Sequence, residues 1–117
     1  MSSTTRIFHN PRCSKSRATL ALLEQNNIDA EIVKYLDAPV SEATLIELTR
    51  MLGCSIHDIV RKGEAVYKEK NAGALDASAL TKLVVENPVL LERPIVVHNG
   101  RAAIGRPPES VLSLFKV

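Results

Sequence analysis

The stretch "RPIVVHNGRAAIG", residues 93–105, constrains the fold of this 117-residue chain more than any other. Ile95-Val96-Val97 is a β-branched apolar run. Asn99-Gly100 follows it, and both residues tolerate positive φ, which makes the pair the strongest short hairpin signal available. Arg101 to Ile104 is the returning strand. Arg93-Pro94 stands immediately before the hairpin, and an X-Pro bond at such a place is a candidate for the cis form.

The remaining strands are expected at the other end. Thr5 to Phe8 is a short β-compatible run, broken by Asn10-Pro11 because the residue before proline is pushed out of the α region. Ser14 is read as the cap of a helix whose apolar residues, Ala18, Leu20, Leu22 and Leu23, fall at helical spacing between Ser16 and Asn26. Glu31 to Tyr35 carries the β-branched pair of a second strand. A helical block comes next. Pro39 followed by Ser41 opens a helix with Leu45, Leu48 and Leu52 on one face and Gly53 as its stop. Ser55 and Asp58 have capping-box spacing. Arg61 to Gly73 reads as loop with one helical turn. Asp76 or Ser78 caps a helix bearing Leu80, Leu83 and Val84, ending before Asn87-Pro88. Past the hairpin, Pro107-Pro108 opens a last helix over Glu109 to Phe115.

The order β-α-β, helical insertion, β-β-α predicts an α/β fold. A βαβ unit supplies two parallel strands, and the hairpin completes a thioredoxin-like mixed four-stranded sheet with flanking helices. One domain is expected over residues 1–117, with the insertion at about 41–87. The near-balanced charge, +2, with no dense basic run, argues against nucleic acid as a partner. No apolar run approaches the roughly 20 residues a membrane span needs, and no charged-then-apolar signal pattern opens the chain. The expectation is a cytoplasmic protein, where two cysteines are more often catalytic or redox-active than a structural staple.

Cys13 stands in "HNPRCSKSR", between the first strand and the first helix. A thiol at a helix N-terminus meets the positive end of the macrodipole, which lowers its pKa, beside amides suited to an anion. Lys15, Arg12 and Arg17 add positive potential. Ser16 and His9 are placed to donate hydrogen bonds to a thiolate. Ser16 also stands where a dithiol motif, C-x-x-C, has its second cysteine. A mixed disulfide at Cys13 must therefore be resolved by Cys54, glutathione or a partner protein. Three arginines, Arg61, Arg93 and Arg106, stand at element boundaries, the last two held by adjacent prolines. In a thioredoxin-like fold Pro94 faces the active cysteine, which brings Arg93 near Cys13. Guanidiniums around a thiolate bind a tetrahedral oxyanion through charge-assisted hydrogen bonds.

These residues resemble the glutaredoxin-coupled arsenate reductase family, including its short members. The likeness covers nearly the whole chain: "IFHNPRCSKSR" is similar to the family's strand, His-Asn-Pro turn and cysteine. "IVRKGEAVYKE", "NPVLLERPIVV" and "IGRPPESV" are similar to its three arginine segments in order. The resemblance implies Cys13 as the nucleophile that forms a thiol–arsenate adduct, Arg61, Arg93 and Arg106 as oxyanion ligands, and His9, Asn10 and Ser16 around the thiol. It implies glutathione as co-substrate, glutaredoxin as regenerating partner, and no bound cofactor or metal. Cys54 falls where the family usually has an apolar residue.

Competing classes leave marks that can be sought. A thiol phosphatase needs C-x5-R, and the sixth residue after Cys13 is Thr19. A monothiol oxidoreductase of another substrate is compatible with C-x-x-S. A regulator resembling Spx-type proteins, which bind RNA polymerase, shares the fold, but many of these carry the C-x-x-C switch that Ser16 breaks. A zinc site from Cys13, Cys54, His9 and His57 or His98 has no paired ligand spacing behind it.

Overall fold

Parallel pairing between the first two strands organises the molecule. The computed structural model describes residues 5–37 and 40–115. Strand β1 (Thr5–Phe8) leads through α1 (Ser14–Gln25) to β2 (Glu31–Val33), and the two strands pair in parallel with Phe8 opposite Val33. Beyond the helical insertion, β3 (Ile95–His98) pairs antiparallel with β1, and β4 (Arg101–Ile104) with β3, giving the order β2-β1-β3-β4. This is the expected thioredoxin-like mixed sheet. Asn99 and Gly100 close the hairpin with φ of 50° and 78°, the positive values for which the pair was singled out.

The chain divides into two compact units. The first comprises the sheet, α1 and a 3₁₀ helix over Pro108–Phe115. Its interior is the aliphatic cluster of Ile7, Leu23, Val96, Val111 and Leu114, extended by Leu20, Ile28, Ala103 and Phe115. Alternation explains the sheet's share: Ile7 on β1 pairs with Val96 on β3, so both project from one face. Helix α1 supplies Leu20 and Leu23, one turn apart. Arg101 ties the last helix to the sheet by donating from Nη2 to the Leu114 carbonyl at 2.9 Å.

The second unit is helical. Helix α2 (Glu42–Leu52) is capped by Ser41, whose hydroxyl accepts from the Thr44 amide, and stops at Gly53 in the left-handed region with φ 71°. The Ser55–Asp58 capping box opens a 3₁₀ turn over Ile56–Ile59. Helix α3 (Ala65–Glu69) and a 3₁₀ turn over Ala72–Ala74 occupy what the sequence presents as loop with one turn. Asp76, rather than Ser78, caps α4 (Ala77–Glu86) by accepting from the Ala79 amide. Leu45 and Leu48 of α2, Ile56 and Ile59, and Leu80 and Val84 of α4 are buried.

Three boundaries and the type of the last helix differ from expectation. Helix α1 begins at Ser14, because its N-cap is Cys13 rather than Ser14. Strand β2 ends at Val33 because the chain turns over Lys34–Asp37, where the Asp37 amide bonds to the Lys34 carbonyl at 3.0 Å. Strand β3 runs one residue further, to His98. The last helix is 3₁₀: prolines at 107 and 108 bring no N–H, and an early bond is the i→i+3 contact from the Ser110 amide to the Pro107 carbonyl. Pro39, read as opening α2, lies outside the described residues. Arg93-Pro94 is cis, as is Arg106-Pro107, which no signal in the sequence singles out.

Candidate active site

Cys13 is the N-cap of α1, with extended φ and ψ of −93° and 124°. An N-cap side chain faces the amides one turn ahead, which have no helical carbonyl to bond. In place of the usual oxygen stands sulfur. The amides of Ser16 and Lys15 favour its anionic form, although neither makes a full capping hydrogen bond in the structure. The residue exposes 9 % of its surface. Burial alone pushes the Cys13 thiol up. That effect is outweighed by the Ser16 amide, by a hydrogen bond from the Arg93 side chain and its positive charge, and by the Lys15 amide, leaving the thiol below its usual value. Arg106 adds a contact of 3.9 Å from Nη2 to the sulfur.

The two arginine segments are fixed relative to each other by two hydrogen bonds. Arg106 Nε donates to the Arg93 carbonyl at 2.8 Å, and the Gly105 amide donates to the Pro94 carbonyl at 2.9 Å. Gly105 is needed there. A methyl group at its α-carbon would lie 2.5 Å from Thr19 Oγ1 and 2.8 Å from Pro94 Cγ, closer than real side chains approach. Pro94 is buried, Arg93 half-buried and Arg106 exposed. The sulfur thus meets one half-buried and one exposed guanidinium.

The turn before the thiol is held from inside. Ser16 is fully buried; its hydroxyl accepts from the Asn10 amide at 3.0 Å and lies 2.7 Å from His9 Nδ1. Asn10 in turn caps the bend: its side-chain oxygen accepts from the Arg12 amide and its carbonyl from the Cys13 amide, both at 3.0 Å. This corrects the expected roles of Ser16 and His9. The Ser16 hydroxyl and the His9 ring bond to each other, not to the sulfur, and it is the Ser16 backbone amide that acts on the thiolate. Burial, then the charges of Lys34 and Arg17, hold the His9 imidazole below its ordinary pKa, so it remains neutral at neutral pH.

Cys13, His9, Asn10, Ser16, Arg93, Pro94 and Arg106 all belong to the first unit. Arg61 belongs to the second, where its amide bonds to the Leu90 carbonyl at 2.7 Å and its guanidinium pairs with Glu64 at 3.7 Å. Cys54 is also in the second unit, just past Gly53; burial, and then the Asp58 charge, push its thiol up. No three His, Cys, Asp or Glu side chains among the described residues gather so as to hold a metal ion. No helix of the described residues is long and apolar enough to cross a membrane.

Residues 8–114 match the sequence profile of the ArsC family. The chain belongs to the ArsC family. The match runs from the end of β1 to the last helix and so takes in the cysteine turn and all three arginine segments. An arsenate reductase from Neisseria meningitidis serogroup B is 49 % identical over 109 residues, covering 91 % of this chain and 93 % of its own. The protein YfgD of Escherichia coli K12, which is uncharacterized, is 50 % identical over 117 residues, covering 97 % of this chain and 98 % of its own. A solved arsenate reductase from Vibrio cholerae superposes with a TM-score of 0.93 at 45 % identity, over 97 % of this chain and 99 % of that one. An ArsC-family domain with a sheltered, cation-flanked thiol has a direct chemical consequence.

Iodoacetamide is expected to alkylate Cys13 about tenfold faster than Cys54 at pH 7, although Cys54 is the more exposed, because the thiolate is the nucleophile. The rate at Cys13 should rise with pH and level off earlier than the rate at Cys54. Peptide mass mapping across a pH series reads both. Equal rates would show that the arginines and the helix start do not set the thiol's reactivity.

Proposed function

We propose that the protein is a cytoplasmic oxidoreductase that reduces arsenate to arsenite through Cys13, with glutathione as co-substrate, glutaredoxin as regenerating partner and no bound cofactor. The observation that carries this reading is the thiolate-favouring position of Cys13 beside the Arg93 and Arg106 guanidiniums. The arsenate reductases among its relatives supply the oxyanion by name.

The chemistry follows from charge. An anionic sulfur and an anionic arsenate repel, so a site for their reaction must first neutralise the oxyanion. Arg93 and Arg106 do this at the sulfur, with Arg61 assigned as the third ligand from its place in "IVRKGEAVYKE". Charge-assisted, often bidentate bonds from guanidinium suit tetrahedral oxygens. The Cys13 thiolate attacks arsenic, an S–As bond forms, and one oxygen leaves as water after taking up protons. A glutathione thiolate then attacks the Cys13 sulfur. The S–As bond breaks with its electron pair retained by arsenic, which departs as arsenite. The pair of sulfurs, now a mixed disulfide, has supplied the two electrons. Glutaredoxin thiolate attacks the glutathione sulfur and releases Cys13 as thiolate. Ser16 in place of a second cysteine is what sends this last step outside the active-site motif. Asn10, Ser16 and His9 hold the turn on which the nucleophile sits.

The test is NADPH oxidation in a coupled system of glutathione, glutaredoxin and glutathione reductase. Oxidation that depends on both arsenate and the protein is expected. Its absence at millimolar arsenate would overturn the substrate assignment, and turnover without glutaredoxin at an undiminished rate would overturn the partner.

A further inference from the structure

Because β1 and β2 are parallel, with Phe8 opposite Val33, the segments that follow them leave the sheet at the same end. That end is where ligands sit in open α/β sheets. The turns at His9–Arg12 and Lys34–Asp37 together line a cleft of about 290 Å³. Its wall carries two cations, Arg12 and Lys34, one carboxylate, Asp37, and the apolar Leu36, which is 40 % exposed. None of the three charged side chains has a hydrogen-bond or ion-pair partner among the described residues. One side of the cleft is the turn that leads into the nucleophile, since the Cys13 amide bonds to the Asn10 carbonyl at 3.0 Å. The cleft therefore lies one bend of chain from the sulfur.

Unpaired charges of mixed sign on a concave wall select a ligand by its own charge pattern. Two cations and one carboxylate around an apolar patch complement a small molecule with two carboxylates and one ammonium. Glutathione has that pattern, with its thiol on the residue between the charged ends. A volume near the lower bound of ligand sites, about 300 Å³, suits a tripeptide. We infer that this cleft docks glutathione, Arg12 and Lys34 taking its carboxylates and Asp37 its ammonium, so that its sulfur is delivered to Cys13. The inference rests on the proposed reductase cycle.

The experiment dispenses with arsenate. Glutathione disulfide reacts with the Cys13 thiolate to give the Cys13–glutathione disulfide and a free glutathione thiolate, a balanced exchange followed by intact mass. Bis(2-hydroxyethyl) disulfide undergoes the same exchange but carries no charge. Lys34→Gln and Lys34→Glu, both at an exposed position, are expected to slow the glutathione reaction about fivefold or more, the scale of one lost ion pair. The hydroxyethyl reaction should stay within twofold of wild type. Parallel slowing with both disulfides would place the effect on the Cys13 thiol itself and overturn the docking assignment, as would no slowing with either. Failure of arsenate-dependent turnover in the wild-type protein, by contrast, strikes the reductase reading and leaves this comparison readable.

Discussion

Cys13→Ser is expected to lower arsenate-dependent NADPH oxidation to the rate without protein, a loss on the order of 10³-fold or more. The size of the effect comes from the leaving of a single atom type. The site as built favours the thiolate: two amides at the start of α1 and the Arg93 guanidinium together overcome the cost of burying the charge. The same environment acts on a serine hydroxyl, but that group starts many units higher and stays protonated. Nothing else nearby can substitute. The Ser16 hydroxyl is committed to the Asn10 amide and the His9 ring, and the His9 imidazole to Ser16. The fold should survive the change, since serine is a better N-cap than cysteine and Cys13 is the N-cap of α1. A melting temperature equal to or above wild type, measured beside the assay, separates lost chemistry from lost structure. Turnover that persists in a folded Cys13→Ser protein would remove Cys13 from the mechanism.

The parts of this molecule legible in its sequence are those where one residue fixes a local geometry. Asn99-Gly100 closes the hairpin, Gly53 ends α2 in the left-handed region, Ser55 and Asp58 cap each other, and Asp76 caps α4. Each depends on side chains within about four residues of one another. The site was legible to the extent that it repeats this logic: a cysteine between a strand and a helix must meet the helix's first amides. The cap of α1 is less legible. Hydroxyls lead the N-cap preference, which points to Ser14. The backbone instead turns one residue earlier, where the Cys13 amide bonds to Asn10. The inward commitment of Ser16 is a pairing with His9 seven residues away across a turn, and no spacing rule encodes it. The roles of Gly105 and Thr19 are less visible still, for they arise where α1, Pro94 and the end of β4 converge.

Gly105→Ala is expected to destabilise the protein by about 1–3 kcal/mol, the cost of forcing extra carbon into a filled interior. The added methyl group would stand 2.5 Å from Thr19 Oγ1 and 3.2 Å from its Cγ2, and 2.8 Å from Pro94 Cγ. Neither neighbour yields easily. Thr19 is fully buried on α1 and its hydroxyl is bonded to the Lys15 carbonyl at 2.8 Å, while Pro94 is a closed ring in a buried backbone. The strain falls on the two hydrogen bonds that register the arginine segments, Gly105 amide to Pro94 carbonyl and Arg106 Nε to Arg93 carbonyl. Turnover should therefore fall even at temperatures where the variant remains folded, because Arg93 and Arg106 no longer meet the sulfur together. Thr19→Ala in the same chain removes two of the three close contacts and should recover part of both stability and turnover, a coupling that a double-mutant cycle reads directly. A Gly105→Ala protein that melts with wild type would mean that α1 and the Pro94 segment separate at no cost, and the packing account of how the arginines are held at Cys13 would fall with it.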